Sequence, residues 1–210
     1  MVHWLATNLL WSKGRSIFLF LLLLGGLAVV LIPWLLVVWV PLFVFVIWFF
    51  RNPQRSCLDS CNGIIAPSDG VVVSVATDKQ GSCTVAVFLS VFDVHVNWIP
   101  VDGVIESICY VPGKFLPAYR PKCSEENEHN VLVIKTPDNK IVRVKQIAGI
   151  IARRIVCWVS VGDSVAQGSK FGMIRFGSRV EITLDASAIV TVTVGQRVFG
   201  GQTVVARWRK

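Results

Sequence analysis

Val161-Gly162-Asp163-Ser164-Val165-Ala166-Gln167-Gly168 reads as a turn, a short strand and a corner marked by glycine. It returns later in the chain as Val194-Gly195-Gln196-Arg197-Val198-Phe199-Gly200-Gly201. Such a repeat predicts two similar half-motifs packed around a pseudo-twofold axis. Outward from it, turn signals recur at short intervals: Pro67-Ser68-Asp69-Gly70, Asp78-Lys79-Gln80-Gly81, Val101-Asp102-Gly103 and Thr136-Pro137-Asp138-Asn139. Each holds residues that accept positive φ or bond their own backbone. The runs between them, 71–76, 83–89, 131–135 and 141–146, are rich in Val, Ile and Thr. Short β-branched runs with frequent turns predict an all-β sandwich or barrel. No amphipathic helix of three turns is evident after residue 56.

The pattern is similar to the flattened barrels of biotinyl and lipoyl carriers. The expected fold class is therefore mainly β: a flattened β barrel or sandwich with biotinyl/lipoyl-like half-motifs, over residues 56–210. Residues 1–55 have another composition. No charged residue occurs from 16 to 50, whereas Lys13 and Arg15 precede that run and Arg51 and Arg55 follow it. The run exceeds both a signal-peptide core of about 7–15 residues and the roughly 20 residues of one span. Gly25-Gly26 and Pro33 break it in the middle. Two helices, about 17–32 and 34–50, joined near Pro33, would form an N-terminal α-helical membrane hairpin, with flanking positive charge keeping both ends in the cytoplasm. Each half is at the lower limit for spanning, so two full spans and a re-entrant hairpin both stay open.

Composition narrows the function classes. A chain that is 53% hydrophobic and 16% charged is too apolar for a purely soluble domain. The net charge of +8 fits anionic lipid head groups. It does not point to nucleic acid, because the basic residues are scattered and no helix-turn-helix, zinc or RNA-binding signature is present. Cys57, Cys61, Cys83, Cys109, Cys123 and Cys157 are irregularly spaced. No second close pair joins Cys57 and Cys61 to complete a tetrahedral set, so isolated reduced thiols and no metal site are expected.

Few residues could carry chemistry. His3 precedes the apolar run, and His129 lies in the polar stretch Ser124-Glu125-Glu126-Asn127-Glu128-His129-Asn130. His95 stands in Phe92-Asp93-Val94-His95-Val96-Asn97-Trp98. On a strand, Asp93, His95 and Asn97 share one face, either a solvated edge or a site. Asp69, in a Pro-Ser-Asp-Gly turn, is a turn former or a functional carboxylate. Lys114, Arg120 and Lys122 sit in a basic, aromatic-bearing loop that reads as ordinary surface or as a contact for membrane or phosphate. Finally, Phe171-Gly172-Met173-Ile174-Arg175-Phe176-Gly177-Ser178-Arg179-Val180-Glu181 holds a Gly-Ser pair after an apolar run, flanked by Arg175 and Arg179. Alone it is an ordinary turn dipeptide.

Six stretches in order change that reading: Phe49-Phe50-Arg51-Asn52-Pro53, Pro67-Ser68-Asp69-Gly70, Phe92-Asp93-Val94-His95-Val96-Asn97, Pro112-Gly113-Lys114-Phe115, Ser124-Glu125-Glu126-Asn127-Glu128 and Gly172-Met173-Ile174-Arg175-Phe176-Gly177-Ser178-Arg179. Together they resemble the short, prokaryotic form of the phosphatidylserine decarboxylase proenzymes, over nearly the whole chain after residue 48. The resemblance implies self-cleavage between Gly177 and Ser178 into a β chain, 1–177, and an α chain, 178–210. Ser178 would become a covalent pyruvoyl group that forms a Schiff base with the serine amine of phosphatidylserine and releases CO2, leaving phosphatidylethanolamine. His95 would take the Ser178 proton and Asp69 would orient the ring, with Asp93 the second candidate. Where longer members carry a second histidine this chain has Trp98, so His95 would serve both self-cleavage and turnover. The resemblance further implies a catalytic domain on the cytoplasmic face of the cell membrane, and it is compatible with a homodimer.

Two other readings compete. A membrane-anchored biotinyl- or lipoyl-like carrier needs a modifiable lysine at a hairpin tip. Lys79 is the one candidate, and its neighbours do not match. A Ser178–His95–Asp69 hydrolase would lack the Gly-x-Ser-x-Gly elbow.

Overall fold

The computed structural model describes residues 11–55, 63–118, 122–150, 155–174 and 178–209. It forms two compact units, 1–54 and 55–210. In the first, α1 (Trp11–Leu31) runs into a 3-10 turn, Pro33–Leu35, and then α2 (Leu36–Phe49). Proline disfavours helical backbone in the residue before it. Ile32 accordingly adopts φ −148° and ψ 76°, and Pro33 opens the next turn. The Gly25-Gly26 pair, by contrast, does not break the run and lies inside α1. A helix tolerates single glycines at a cost of about 1 kcal/mol each. At Gly25 the cause is packing: any Cβ there would strike the Trp39 ring. The Trp39 indole donates across the hairpin to Leu21 O at 2.7 Å. Among the described residues no helix is long and apolar enough to cross a membrane.

The second unit is mainly β, and every strand pairing in it is antiparallel. Its strands are β1 (Gly63–Ile65), β2 (Gly70–Thr77), β3 (Cys83–Leu89), β4 (Val96–Trp98), β5 (Gly103–Val111), β6 (His129–Lys135), β7 (Ile141–Ile147), β8 (Ile155–Cys157), β9 (Ser164–Val165), β10 (Lys170–Ile174), β11 (Ser178–Leu184), β12 (Ala188–Val190), β13 (Arg197–Val198) and β14 (Val204–Trp208). A curled sheet of order β13-β2-β3-β11-β7-β6-β5-β9 faces two small ones, β4-β10-β8 and β1-β14-β12. The period of two decides which side chains point inward. Leu132, Ile134, Val142, Val144, Val180 and Ile182 fill the core, while Arg143 and Lys145 stay outside. The one helix described in this unit is α3 (Cys123–Glu126).

The repeated stretch supplies β9 and β13, the two opposite edges of the large sheet. Both copies turn through a glycine at positive φ, Gly162 at 90° and Gly195 at 88°. Both make the same backbone bonds. Gly162 N donates to Ile105 O and Ile105 N to Asp163 O, just as Gly195 N donates to Val72 O and Val72 N to Gln196 O.

Three strand ends position the site. β3 ends at Leu89, opposite Ser178, and β7 ends at Ile147, opposite both Arg179 and His129. β10 belongs to a small sheet and ends at Ile174, whereas β11 begins at Ser178 in the centre of the large sheet. The chain therefore passes from one sheet to the other between residues 174 and 178. Gly177, with Arg175 and Phe176, lies outside the described residues, as do Cys57, Cys61 and Arg120.

Candidate active site

Ser178 opens β11 on its core-facing side. The alternation that buries Val180, Ile182 and Leu184 also buries Ser178, with no exposed surface. Its hydroxyl has no hydrogen-bond partner. A buried hydroxyl normally finds one, so this oxygen is held in a space that the rest of the fold leaves unsatisfied. Ser68 Oγ, beside Asp69, is in the same condition.

His95 immediately precedes β4 and is 1% exposed. Ile174 N donates to His95 O at 3.2 Å, so the histidine sits beside the last residue of β10, four residues before Ser178 in the chain. Its Nδ1 lies 2.9 Å from the main-chain oxygen of Asp93. A carbonyl oxygen can only accept, so Nδ1 carries the proton and Nε2 of the neutral ring carries the lone pair. That tautomer leaves Nε2 as the nitrogen able to take a proton.

The two aspartates are both buried and both engaged. Asp69 receives Arg55 through both carboxylate oxygens, the Nη2–Oδ2 bond being 2.8 Å, and its Oδ1 also accepts from Gly200 N at 2.8 Å. Arg55 further donates to Gly200 O at 2.7 Å and stands 4.6 Å over the Trp98 ring. Gly200 and Gly201 lie so close to the face of Trp98 that a Cβ at either would collide with it. Trp98 is thus a packed platform for Arg55 and this glycine pair. Asp93 accepts from Ser90 N and Ser90 Oγ, both at 2.8 Å, and from Arg197. These bonds cap the loop after β3 and set the Asp93 carbonyl that faces His95.

The basic loop and the acidic stretch, far apart in expected role, are one structure. Lys114 N donates to Glu126 O at 2.7 Å, Glu128 N to Lys114 O at 3.0 Å, and the Lys114 and Glu126 side chains pair on the surface. That pairing raises the Lys114 pKa and lowers that of Glu126. Asn127 is fully buried, bonding Leu116 N and O and also Ala148 O. Beneath, Ser124 Oγ donates to Glu181 at 2.6 Å, and Glu181 pairs with Arg179 at 2.9 Å, so α3 covers the outward face of β11. Burial raises the pKa of the Cys123 thiol there.

Arg55, Arg197, Gln146 and Asn127 were not singled out in the sequence. Arg55 reads there as a membrane-flanking charge. A signal for Arg197 did exist: it replaces the serine of the first repeat, Ser164, with a cation. Among the described residues no group of three or more His, Cys, Asp or Glu could hold a metal ion.

Comparison with known proteins bears on this arrangement. The sequence model of a family described as phosphatidylserine decarboxylase matches residues 42–206. Three similar proteins are each named phosphatidylserine decarboxylase proenzyme. That of Carboxydothermus hydrogenoformans is 45% identical over 203 residues, covering 92% of this chain and 95% of its own. That of Granulibacter bethesdensis is 45% identical over 198 residues, 88% and 81%. That of Syntrophus aciditrophicus is 43% identical over 176 residues, 81% and 83%. The matched span includes Ser178, His95 and Asp69, and the chain belongs to the phosphatidylserine decarboxylase family.

Proposed function

We propose that this chain is a self-cleaving precursor that decarboxylates phosphatidylserine to phosphatidylethanolamine through a pyruvoyl group made from Ser178. The observation that carries the reading is the buried, unpartnered Ser178 hydroxyl at the start of a central strand, with His95 bonded to Ile174 at the end of the preceding strand. His95 Nε2 takes the hydroxyl proton as Oγ adds to the carbonyl of Gly177. The C–N bond then breaks, the proton passes to the Ser178 nitrogen, and an ester remains. Removal of the Ser178 α-proton expels the Gly177 carboxylate. Hydrolysis of the resulting unsaturated residue releases ammonia and leaves the pyruvoyl group. Burial of Ser178 fits this group, since a keto carbonyl there is shielded from water. When formed, it would supply, through the serine amine, an electron sink for the pair left on the serine α-carbon as CO2 departs, the role that pyridoxal phosphate fills elsewhere. Asp69, held by Arg55 and Gly200, and Asp93, whose main-chain oxygen meets His95 Nδ1, both remain carboxylate candidates. The paired edge motifs fit the biotinyl/lipoyl-like arrangement of half-motifs.

The helical hairpin is proposed as the membrane anchor, its flanking charges keeping the β unit cytoplasmic. Leu23, Val30, Trp34 and Val37 are each at least 70% exposed. An apolar surface of this kind on a soluble monomer would be exceptional. Intact mass spectrometry tests the central claim. Self-cleavage gives fragments 1–177 and 178–210, and borohydride with phosphatidylserine adds lipid mass to the shorter one. An intact 23.2 kDa chain, or trapping on a lysine, would sink it.

A further inference from the structure

Three buried amides form a chain between the large sheet and the small sheet that ends at Ile174. Asn130 Nδ2 donates to Gln146 Oε1 at 3.0 Å, and Gln146 Nε2 donates to Asn97 Oδ1 at 2.8 Å. All three side chains are buried. The links set the polarity of the chain: an amide whose oxygen is taken presents its NH2 at the other end. What is left over is Asn97 Nδ2, a buried donor with no hydrogen-bond partner. Folded proteins seldom keep such a group, and where they do it calls for an explanation such as a catalytic role.

Its position supplies one. Gln146 lies opposite Val180, on the core face that also carries Ser178, two residues away along β11. Such diagonal neighbours are about 7–8 Å apart and within reach of long side chains. Asn97 approaches from β4, opposite Gly172, where a Cβ would stand only 3.0 Å from Gln146 Nε2. Glycine at 172 therefore leaves room for the Gln146–Asn97 link. Asn97 also stands two residues from His95, which immediately precedes β4. Two unsatisfied buried atoms, Asn97 Nδ2 and Ser178 Oγ, thus belong to the same end of the core.

We propose that the Asn97 side-chain N–H holds the negative charge on the carbonyl oxygen preceding Ser178 when Ser178 Oγ adds to that carbonyl. The inference rests on the self-cleavage reading above. As the C–O bond forms, the Oγ proton goes to His95 Nε2 and the carbonyl π pair moves to oxygen, where Asn97 donates. As the C–N bond breaks, the carbonyl reforms and His95 returns the proton to the Ser178 nitrogen. Asn97 keeps its own protons throughout. Gln146 and Asn130 are positioning residues that fix which end of the Asn97 amide faces the oxyanion.

The test follows self-cleavage, independent of turnover, in the full-length chain made by cell-free synthesis into phospholipid nanodiscs and chased by intact mass. Asn97→Asp keeps the acceptor for Gln146 Nε2 but replaces the free donor with an oxygen. Gln146→Glu keeps Asn97 but makes position 146 an acceptor, so the Asn97 amide turns its NH2 away from the site. Each should slow cleavage by about 10²–10³-fold, the loss typical of one oxyanion donor. The slowing should deepen as pH rises, because a protonated carboxyl at either position still acts as a donor. Unfolding midpoints should stay near that of uncleaved Ser178→Ala. If Asn97→Asp does not fold, Gln146→Glu decides, since it keeps Asn97 and Asn130 and its carboxylate can accept from both amides. A folded variant that cleaves at the unchanged rate overturns the proposal. So does hydroxylamine, which splits esters far faster than amides, if it releases the 178–210 fragment from the variants at the unchanged rate. Failure of the unsubstituted chain to cleave at Ser178 would instead sink the self-cleavage reading itself.

Discussion

A serine hydroxyl attacks a peptide carbonyl only when a neighbouring group removes its proton, and burial of Ser178 restricts which group can do so. The Nδ1 contact of His95 with Asp93 O leaves Nε2 basic. Ser178→Ala should therefore stay a single 23.2 kDa chain, and His95→Ala should block the split as well, both read by intact mass. Normal splitting in the histidine variant would confine His95 to turnover. Asp69→Ala makes a different prediction. It strands Arg55, whose side chain is 10% exposed, and removing one partner of a buried pair costs roughly 3–5 kcal/mol. Urea unfolding in the Ser178→Ala background measures that loss, and an unchanged midpoint would make the pair energetically idle. Ser178, His95 and Asp69 could be picked out in the sequence because their types and order carry a pattern. Gln146 could not, because its partners Asn130 and Asn97 meet it only in the folded register; Arg197 left a trace in the repeat, but nothing in the sequence joins it to Asp93, 104 residues away.

At the scale of elements, strands were the most legible feature, since β-branched runs between turn residues leave little choice of conformation. Helix breaks were less so. Gly25-Gly26 looks like a break, but whether glycine interrupts a helix or admits a neighbour depends on Trp39 of the opposite helix. The stretches 112–118 and 122–128 were the least legible, because they are held by bonds, such as those of the Asn127 side chain to Leu116 and Ala148, that no periodicity announces. Gly113 shows how tightly they are drawn: a Cβ there would lie 2.5 Å from Asn127 C and 2.6 Å from Glu126 O. Gly113→Ala should lower the thermal midpoint, as should Asn127→Ala, which strands Leu116 N and Ala148 O. Unpaired buried groups of this kind cost about 1–3 kcal/mol each. Cysteine chemistry checks the same cover independently. Cys109 is exposed, whereas Cys123 is buried with a raised pKa. Maleimide near neutral pH should label Cys109 in the native chain and Cys123 only on unfolding.

For the molecule as a whole, the proposed cleavage before Ser178 would remove a connection between sheets and leave the strand pairings in place. The fragment 178–210 contributes β11 between β3 and β7, β13 beside β2, and β14 beside β1. The two fragments should co-elute on size exclusion and separate only in denaturant; dissociation in native buffer would contradict this interleaving. A pH effect belongs to this scale too. Burial first, and then the charge of Arg55, lowers the pKa of Lys170 in the folded state. Between the folded and unfolded pKa values the unfolded chain binds a proton that the folded chain has released, so stability rises with pH across that window. Melting of uncleaved Ser178→Ala should show this rise toward alkaline pH, and Lys170→Met should flatten it. The repeated stretch, finally, has a consequence beyond symmetry. By ending the large sheet in the two-residue strands β9 and β13, it gives neighbouring copies no long rim of free amides and carbonyls to zip onto. Short terminal strands are a known defence against edge-to-edge aggregation. Under the proposed membrane anchoring and self-cleavage, a protein confined to a bilayer plane and cut in two would have particular need of it.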